Sequence, residues 1–131
     1  MGLVLVAGAL SGAAWLFGSV LPAMYVDLAF YADHGPMLDL GLLILLSSLL
    51  FGAAGALLTV RAGRRLPKAP HIHLLASTVC VILTAVFTDG PFALLEVLFA
   101  AKFWAFMFGT ALVFFVAHRR RVFQPTVAGT P

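Results

Sequence analysis

The stretch MLDLGLLILLSSLLFGAAGALLTV, residues 37–60, decides the class of this protein. It is 24 residues long, contains Asp39 near its start as its one charged residue, and is followed at once by Arg61. A helix needs about 20 mainly apolar residues to cross a hydrocarbon core roughly 30 Å thick, at about 1.5 Å of rise per residue. Lipid offers no water to an unpaired amide, so a run of this kind takes the form of a helix that satisfies its own backbone. It reads as a transmembrane span.

Three further apolar runs surround it, from about Gly2 to Tyr25, from about Ile72 to Phe87 and from about Phe92 to Ala117. The separators are Asp27 to Pro36, Arg61 to Pro70, and the turn Thr88-Asp89-Gly90-Pro91, each with the charge, Gly or Pro that ends a helix. Composition agrees: 63% hydrophobic residues, 10% charged residues and a mean hydropathy of +1.09 exclude a soluble domain of this length. In 131 residues, four spans leave no room for a separate soluble domain. The expected fold is therefore all-α: a polytopic membrane protein with an antiparallel four-helix transmembrane bundle over residues 1–118 and a short tail over 119–131. The N-terminal run has no basic leader and is too long for a signal-peptide core, so it reads as a retained span. Val6 stands where a myristoylation signal needs Ser or Thr.

A formal charge of +3 and a pI near 9.6 do not make a nucleic-acid partner here, because the basic residues are split between one loop and one tail. Arg61, Arg64, Arg65 and Lys68 occupy the middle loop, and Arg119, Arg120 and Arg121 follow the last run. The acids Asp27, Asp33, Asp39 and Asp89 fall in or beside the other two connections. The positive-inside rule then puts both termini in the cytoplasm, in a multi-pass protein of a cell membrane, with a bacterial cytoplasmic membrane as the expected compartment. The tail has nothing in its own chain to pack against and is expected to be flexible unless a partner holds it.

In lipid, close backbone approach replaces hydrophobic burial as the source of helix packing, so small residues mark the contacts. Gly8 and Gly12 form a GxxxG pair in the first run, and Ser48, Gly52 and Ala56 repeat at four-residue spacing in the second. Ala76, Cys80, Thr84 and Thr88 do so in the third, and Ala101, Ala105 and Gly109 in the fourth. Phe51-Gly52-Ala53 before Arg64-Arg65 is echoed by Phe108-Gly109-Thr110 before Arg119-Arg120, the trace that a duplicated hairpin would leave.

Chemistry has few candidates. Lys102 is the eleventh residue of the fourth run, a depth of roughly 16 Å in a continuous helix. A cation at mid-bilayer costs roughly 3 kcal/mol or more on insertion scales, so it requires a partner. Glu96 lies six residues earlier, about 120° around a continuous helix, and cannot pair with it at i,i+4. The other runs offer hydroxyls at that depth, with Thr84 among them, and the single cysteine, Cys80, but no carboxylate. Lys102 is thus expected to serve a proton or anion relay, to meet an acid on another subunit, or simply to snorkel or hydrogen-bond hydroxyls with no function. Glu96, Asp39 and Asp89 share one rim, as a vestibule of carboxylates or as solvated headgroup-level acids. Asp27, Asp33 and His34 fit no calcium loop. His71, His73 and His118 are weak candidates for a metal at the opposite rim, and no metal or other cofactor is expected. A lone cysteine excludes an internal disulfide, and no phosphate loop, nucleophile elbow or Cys-x-x-Cys motif suggests an enzyme.

These features lead to the expectation of a non-catalytic accessory or structural subunit of a larger integral-membrane complex, of energy-converting or transport type. Its expected partners are the lipid bilayer and other membrane subunits, or copies of itself. The rivals are a small homo-oligomeric transporter or channel with Lys102 and Glu96 lining its path, and a membrane redox or metal-handling protein.

Overall fold

The structure, a computed structural model, describes residues 1–18, 21, 39–92, 96–97, 100–120 and 122–123; the side chains at 39–41 and 89 fall outside this description. The expectations placed on Tyr25, Asp27, Asp33, His34 and Arg121 concern residues outside it.

Every regular element among the described residues is helical: α1 (Gly2–Gly18), α2 (Asp39–Ala62), α3 (Ala69–Asp89) and α4 (Ala101–Arg119). Three of them are long and apolar enough to cross a membrane, over Leu42–Ala62, Ala69–Thr88 and Ala101–Arg119. Helix α1 is equally apolar in character but has 17 residues, about 25 Å of rise.

Glycine positions reveal how the helices run past one another. Against α2, the α1 residues Val4, Ser11 and Gly18 meet Gly63, Gly55 and Phe51 in turn, so these two helices are antiparallel. Against α3, Gly8 lies on the His73 carbonyl and Ala76, while Gly12 lies on the Ser77 carbonyl and Val81, so α1 and α3 run in the same direction. Helices α2 and α4 are also parallel and touch most closely at Gly52 and Gly109. A Cβ at Gly52 would strike the Phe106 carbonyl, and one at Gly109 the Leu49 carbonyl. Each glycine thus faces the backbone three residues before the other. The main contacts link α3 to α1, α1 to α2 and α2 to α4, with a lighter one between α2 and α3.

Two apolar clusters fill the bundle. One gathers Trp15, Val81, Ala85, Val97, Phe103 and Phe106 near the end of α1 and α3. The other gathers Val4, Ala56, Ala69, Phe114, Ala117 and Phe123 near the arginine-bearing end. Small and polar residues lie between them, including Ser11, Gly12, Gly55, Thr59 and His73, all buried.

Local structure departs from the expected segments in three places. Pro70 does not end a loop but stands in the first turn of α3, where its missing N–H costs nothing. At the other end of α3, Gly90 closes the helix at φ 87°, donating its N–H to the Val86 carbonyl.

The second departure is in the fourth run. Ala100 is extended, with φ −70° and ψ 123°, and α4 starts only at Ala101, so the run is divided rather than one helix from Phe92. The packing explains the division. Val97 and Phe106, nine residues apart, would face opposite ways on a continuous helix, yet both are buried in the cluster around Trp15. Burial of both side chains outweighs the helix propensity of an Ala-Ala pair.

The third is the tail. Its start folds back instead of leaving the bundle: the Val122 N–H donates to the Ala117 carbonyl, and Phe123 is buried with its ring 6.2 Å from that of Phe114.

Candidate functional site

The break before α4 reshapes the surroundings of Lys102. It is the second residue of α4, half-buried, with Nζ 5.9 Å from the centre of the Trp15 ring. Around it are the last turns of α1 and α3, through Leu16, Phe17, Ala85 and Thr88. Lys102 therefore stands at the start of an apolar helix and not eleven residues into one. Glu96, which a continuous helix would carry about 120° away, lines the same cleft of about 460 Å³ and is exposed. Glu96 and Lys102 thus border one cleft, although a continuous helix would set them apart. Asp39 opens α2, but its side chain, like that of Asp89, lies outside the description, and so does the carboxylate vestibule.

Hydroxyls on α2, α3 and α4 bond within their own helices. Ser47 and Ser48 both donate to the Ile44 carbonyl, at 3.0 and 2.7 Å, and Ser77 donates to Leu74 at 3.2 Å. Thr84 donates to the Cys80 carbonyl at 2.7 Å, and Thr110 to Phe106 at 3.0 Å. These hydroxyls return to their own helices, the usual way a Ser or Thr is satisfied inside an apolar helix. Cys80 is a free thiol, half-buried like Thr84, while the buried face of α3 runs through Ala69, His73, Ala76, Ser77, Val81 and Ala85. Ser48, Gly52 and Gly109 are buried, Ala105 is half-buried and Ala101 is exposed.

The three histidines do not converge. His71 and His118 are exposed, whereas His73 is fully buried. Residues two apart on a helix point about 200° apart, so His71-Ile72-His73 cannot bring both rings to one ion. Among the described residues, no group of three His, Cys, Asp or Glu side chains is placed to hold a metal.

His73 instead forms the polar joint of the bundle. Its Nδ1 is 2.7 Å from the Thr59 hydroxyl of α2, and its ring meets Phe114 of α4 edge-on at 5.3 Å. Gly8 of α1 rests on its carbonyl, and Gly55 leaves room between the Ser11 hydroxyl and the edge of the imidazole. His73 Nε2, Ser11 Oγ and Trp15 Nε1 are buried and have no hydrogen-bond partner among the described residues. The sequence contains a usable sign of this joint: His73 and Ser77 repeat at the four-residue spacing of Gly8 and Gly12, which they face.

The chain matches no family model, no curated protein and no solved structure.

Between the His73 joint and the Glu96–Lys102 cleft, Trp15, Val81, Ala85, Phe103 and Phe106 form a packed apolar layer. An unpaired charge moving between the two polar regions inside one chain would cross this layer at a cost of several kcal/mol.

Proposed function

We propose that the protein is a non-catalytic, membrane-embedded subunit that docks on other integral-membrane chains through the outer face of α4. The observation that carries this reading is an aromatic stripe. Trp104, Phe108 and Phe115 are 61%, 61% and 56% exposed, and with Leu112 they occupy one face of α4. The opposite face, through Phe106, Gly109 and Thr110, packs on α2. Aromatic side chains are rigid and large, and they bury much area in a helix contact at little entropic cost. The arginine-bearing loop and the C-terminal end of α4 lie in the cytoplasm in this reading, with both termini inside.

The test is recovery from native membranes in a mild detergent, followed by mass spectrometry of the intact particle. Unlike subunits are expected to accompany the wild-type chain, and Trp104→Leu/Phe108→Leu/Phe115→Leu is expected to lose most of them while the isolated bundle keeps its helix content. Recovery of the wild-type chain only as itself, alone or as a homo-oligomer, overturns the proposal.

The Glu96–Lys102 cleft favours a second reading, a homo-oligomeric transporter whose path runs between copies of the chain rather than through one. Purified protein in liposomes whose transport is abolished by Glu96→Gln and by Lys102→Met would establish that reading in place of the first.

A further inference from the structure

We propose that the cleft between the arginine-bearing ends of α2 and α4 holds one anionic phospholipid, with its phosphate between Arg64 and Arg120 and an acyl chain along Leu57, Val60, Leu112 and Val116. These side chains line a single cleft of about 680 Å³, within the size range of small-molecule sites. Its origin is geometric. The two parallel helices are in backbone contact at Gly52 and Gly109, and beyond it the larger side chains Leu57, Val60, Leu112, Val113 and Val116 line the cleft. Val122, held by its N–H to the Ala117 carbonyl, also lines the cleft.

Two observations identify the occupant. The walls are aliphatic and the polar groups at the mouth are guanidinium groups, the layout complementary to an acyl chain ending in a phosphate. Arginine suits that role because its planar set of donors matches the oxygens of a phosphate. The second observation is the distribution of acids. The sequence has no Asp or Glu between Asp39 and Asp89, and none after Glu96. The lining of the cleft contains no Asp or Glu to neutralise Arg64 or Arg120, whereas Arg119 lies over the Phe115 ring at 5.0 Å. A counter-anion is therefore not supplied by the cleft itself, and at a membrane surface the nearest supply is lipid phosphate. A zwitterionic lipid brings its own cation beside the phosphate, so a net negative headgroup is preferred.

The experiment uses the full chain in mild detergent, offered equal amounts of phosphatidylglycerol and phosphatidylcholine, with retained lipid counted by native mass spectrometry. One phosphatidylglycerol per chain is expected, favoured by roughly tenfold over phosphatidylcholine. Arg64→Gln/Arg120→Gln is expected to abolish the preference, and Arg64→Lys/Arg120→Lys to keep part of it. Val116→Trp keeps both arginines and fills the apolar wall, so it is expected to lose the lipid. Equal retention of the two lipids by the wild-type chain overturns the proposal. So does a preference that survives the Gln variants, or one untouched by Val116→Trp, which would be general attraction to a basic surface. Displacement of the lipid by glycerol 3-phosphate would assign the site to a free phosphate and overturn it as well. Arg64 and Arg120 are exposed and Val116 is 44% exposed, so these variants are expected to retain wild-type helix content.

Discussion

Lys102 occupies the first turn of α4, where the unpaired N–H groups of a helix disfavour a cation by about 0.3–1 kcal/mol. The Trp15 ring beneath it, 5.9 Å away, returns about 0.5–1 kcal/mol. The two nearly cancel. A lysine held at mid-bilayer would differ, because its removal would relieve roughly 3 kcal/mol or more. Lys102→Met is therefore expected to change the stability of the isolated bundle by less than about 1 kcal/mol in either direction, measured by thermal or denaturant unfolding in detergent. A gain of several kcal/mol would return Lys102 to the membrane centre. The same attention to position explains His73. As a sequence pattern, His71-Ile72-His73 suggests a shared ligand set; on a helix, the two rings part, and only His73 turns inward to Thr59.

At the scale of elements, the α2–α4 contact rests on two glycines that face each other's backbone. Gly52→Ala would push a methyl into the Phe106 carbonyl, with Thr110 Oγ1 also at 2.9 Å. Backbone cannot yield as a flexible side chain does, so the helices must separate, at a cost of about 1–3 kcal/mol for an overpacked contact. Gly2→Ala is the matched control, since nothing lies within 4 Å of a Cβ there. Unfolding of the two variants in detergent should show Gly52→Ala destabilised and Gly2→Ala within about 1 kcal/mol of wild type, since helix propensity alone favours Ala by that order. Equal behaviour would mean that the close α2–α4 contact does not form. The helices themselves were legible in the sequence because length and apolarity are properties of a segment. The division at Ala100 was not. Leu98-Phe99-Ala100-Ala101 contains no Gly, Pro or charge, and the break accompanies the burial of both Val97 and Phe106 with Trp15, a residue more than 80 positions away. That Glu96 and Lys102 border one cleft was hidden for the same reason.

For the whole molecule, charge is segregated more sharply than any other property. All five acids lie in Asp27–Asp39 or Asp89–Glu96, and seven of the eight bases lie in Arg61–Lys68 or Arg119–Arg121. Lys102 is the exception, and it stands in the cleft that contains Glu96. This pattern was open to reading in the sequence, whereas the burial of Phe123 against Phe114 was not, because a composition rich in small residues and Pro says nothing about one aromatic side chain that finds a gap. Basic loops resist translocation, so the two arginine-bearing segments are expected on the cytoplasmic side and the Gly90 turn on the other. Single-cysteine labelling resolves the two ends, since Cys80→Ala removes the one native thiol. In that background, Phe92→Cys places a thiol at a position 79% exposed beside the Gly90 turn, and Arg65→Cys places one in the exposed basic loop. A membrane-impermeant maleimide applied to intact cells is expected to label Phe92→Cys at once and Arg65→Cys only after permeabilisation. The reverse order would invert the protein in the membrane and move the Arg64–Arg120 cleft to the outer leaflet. Labelling of both sites from outside would mean that α3, which joins them, does not cross the bilayer.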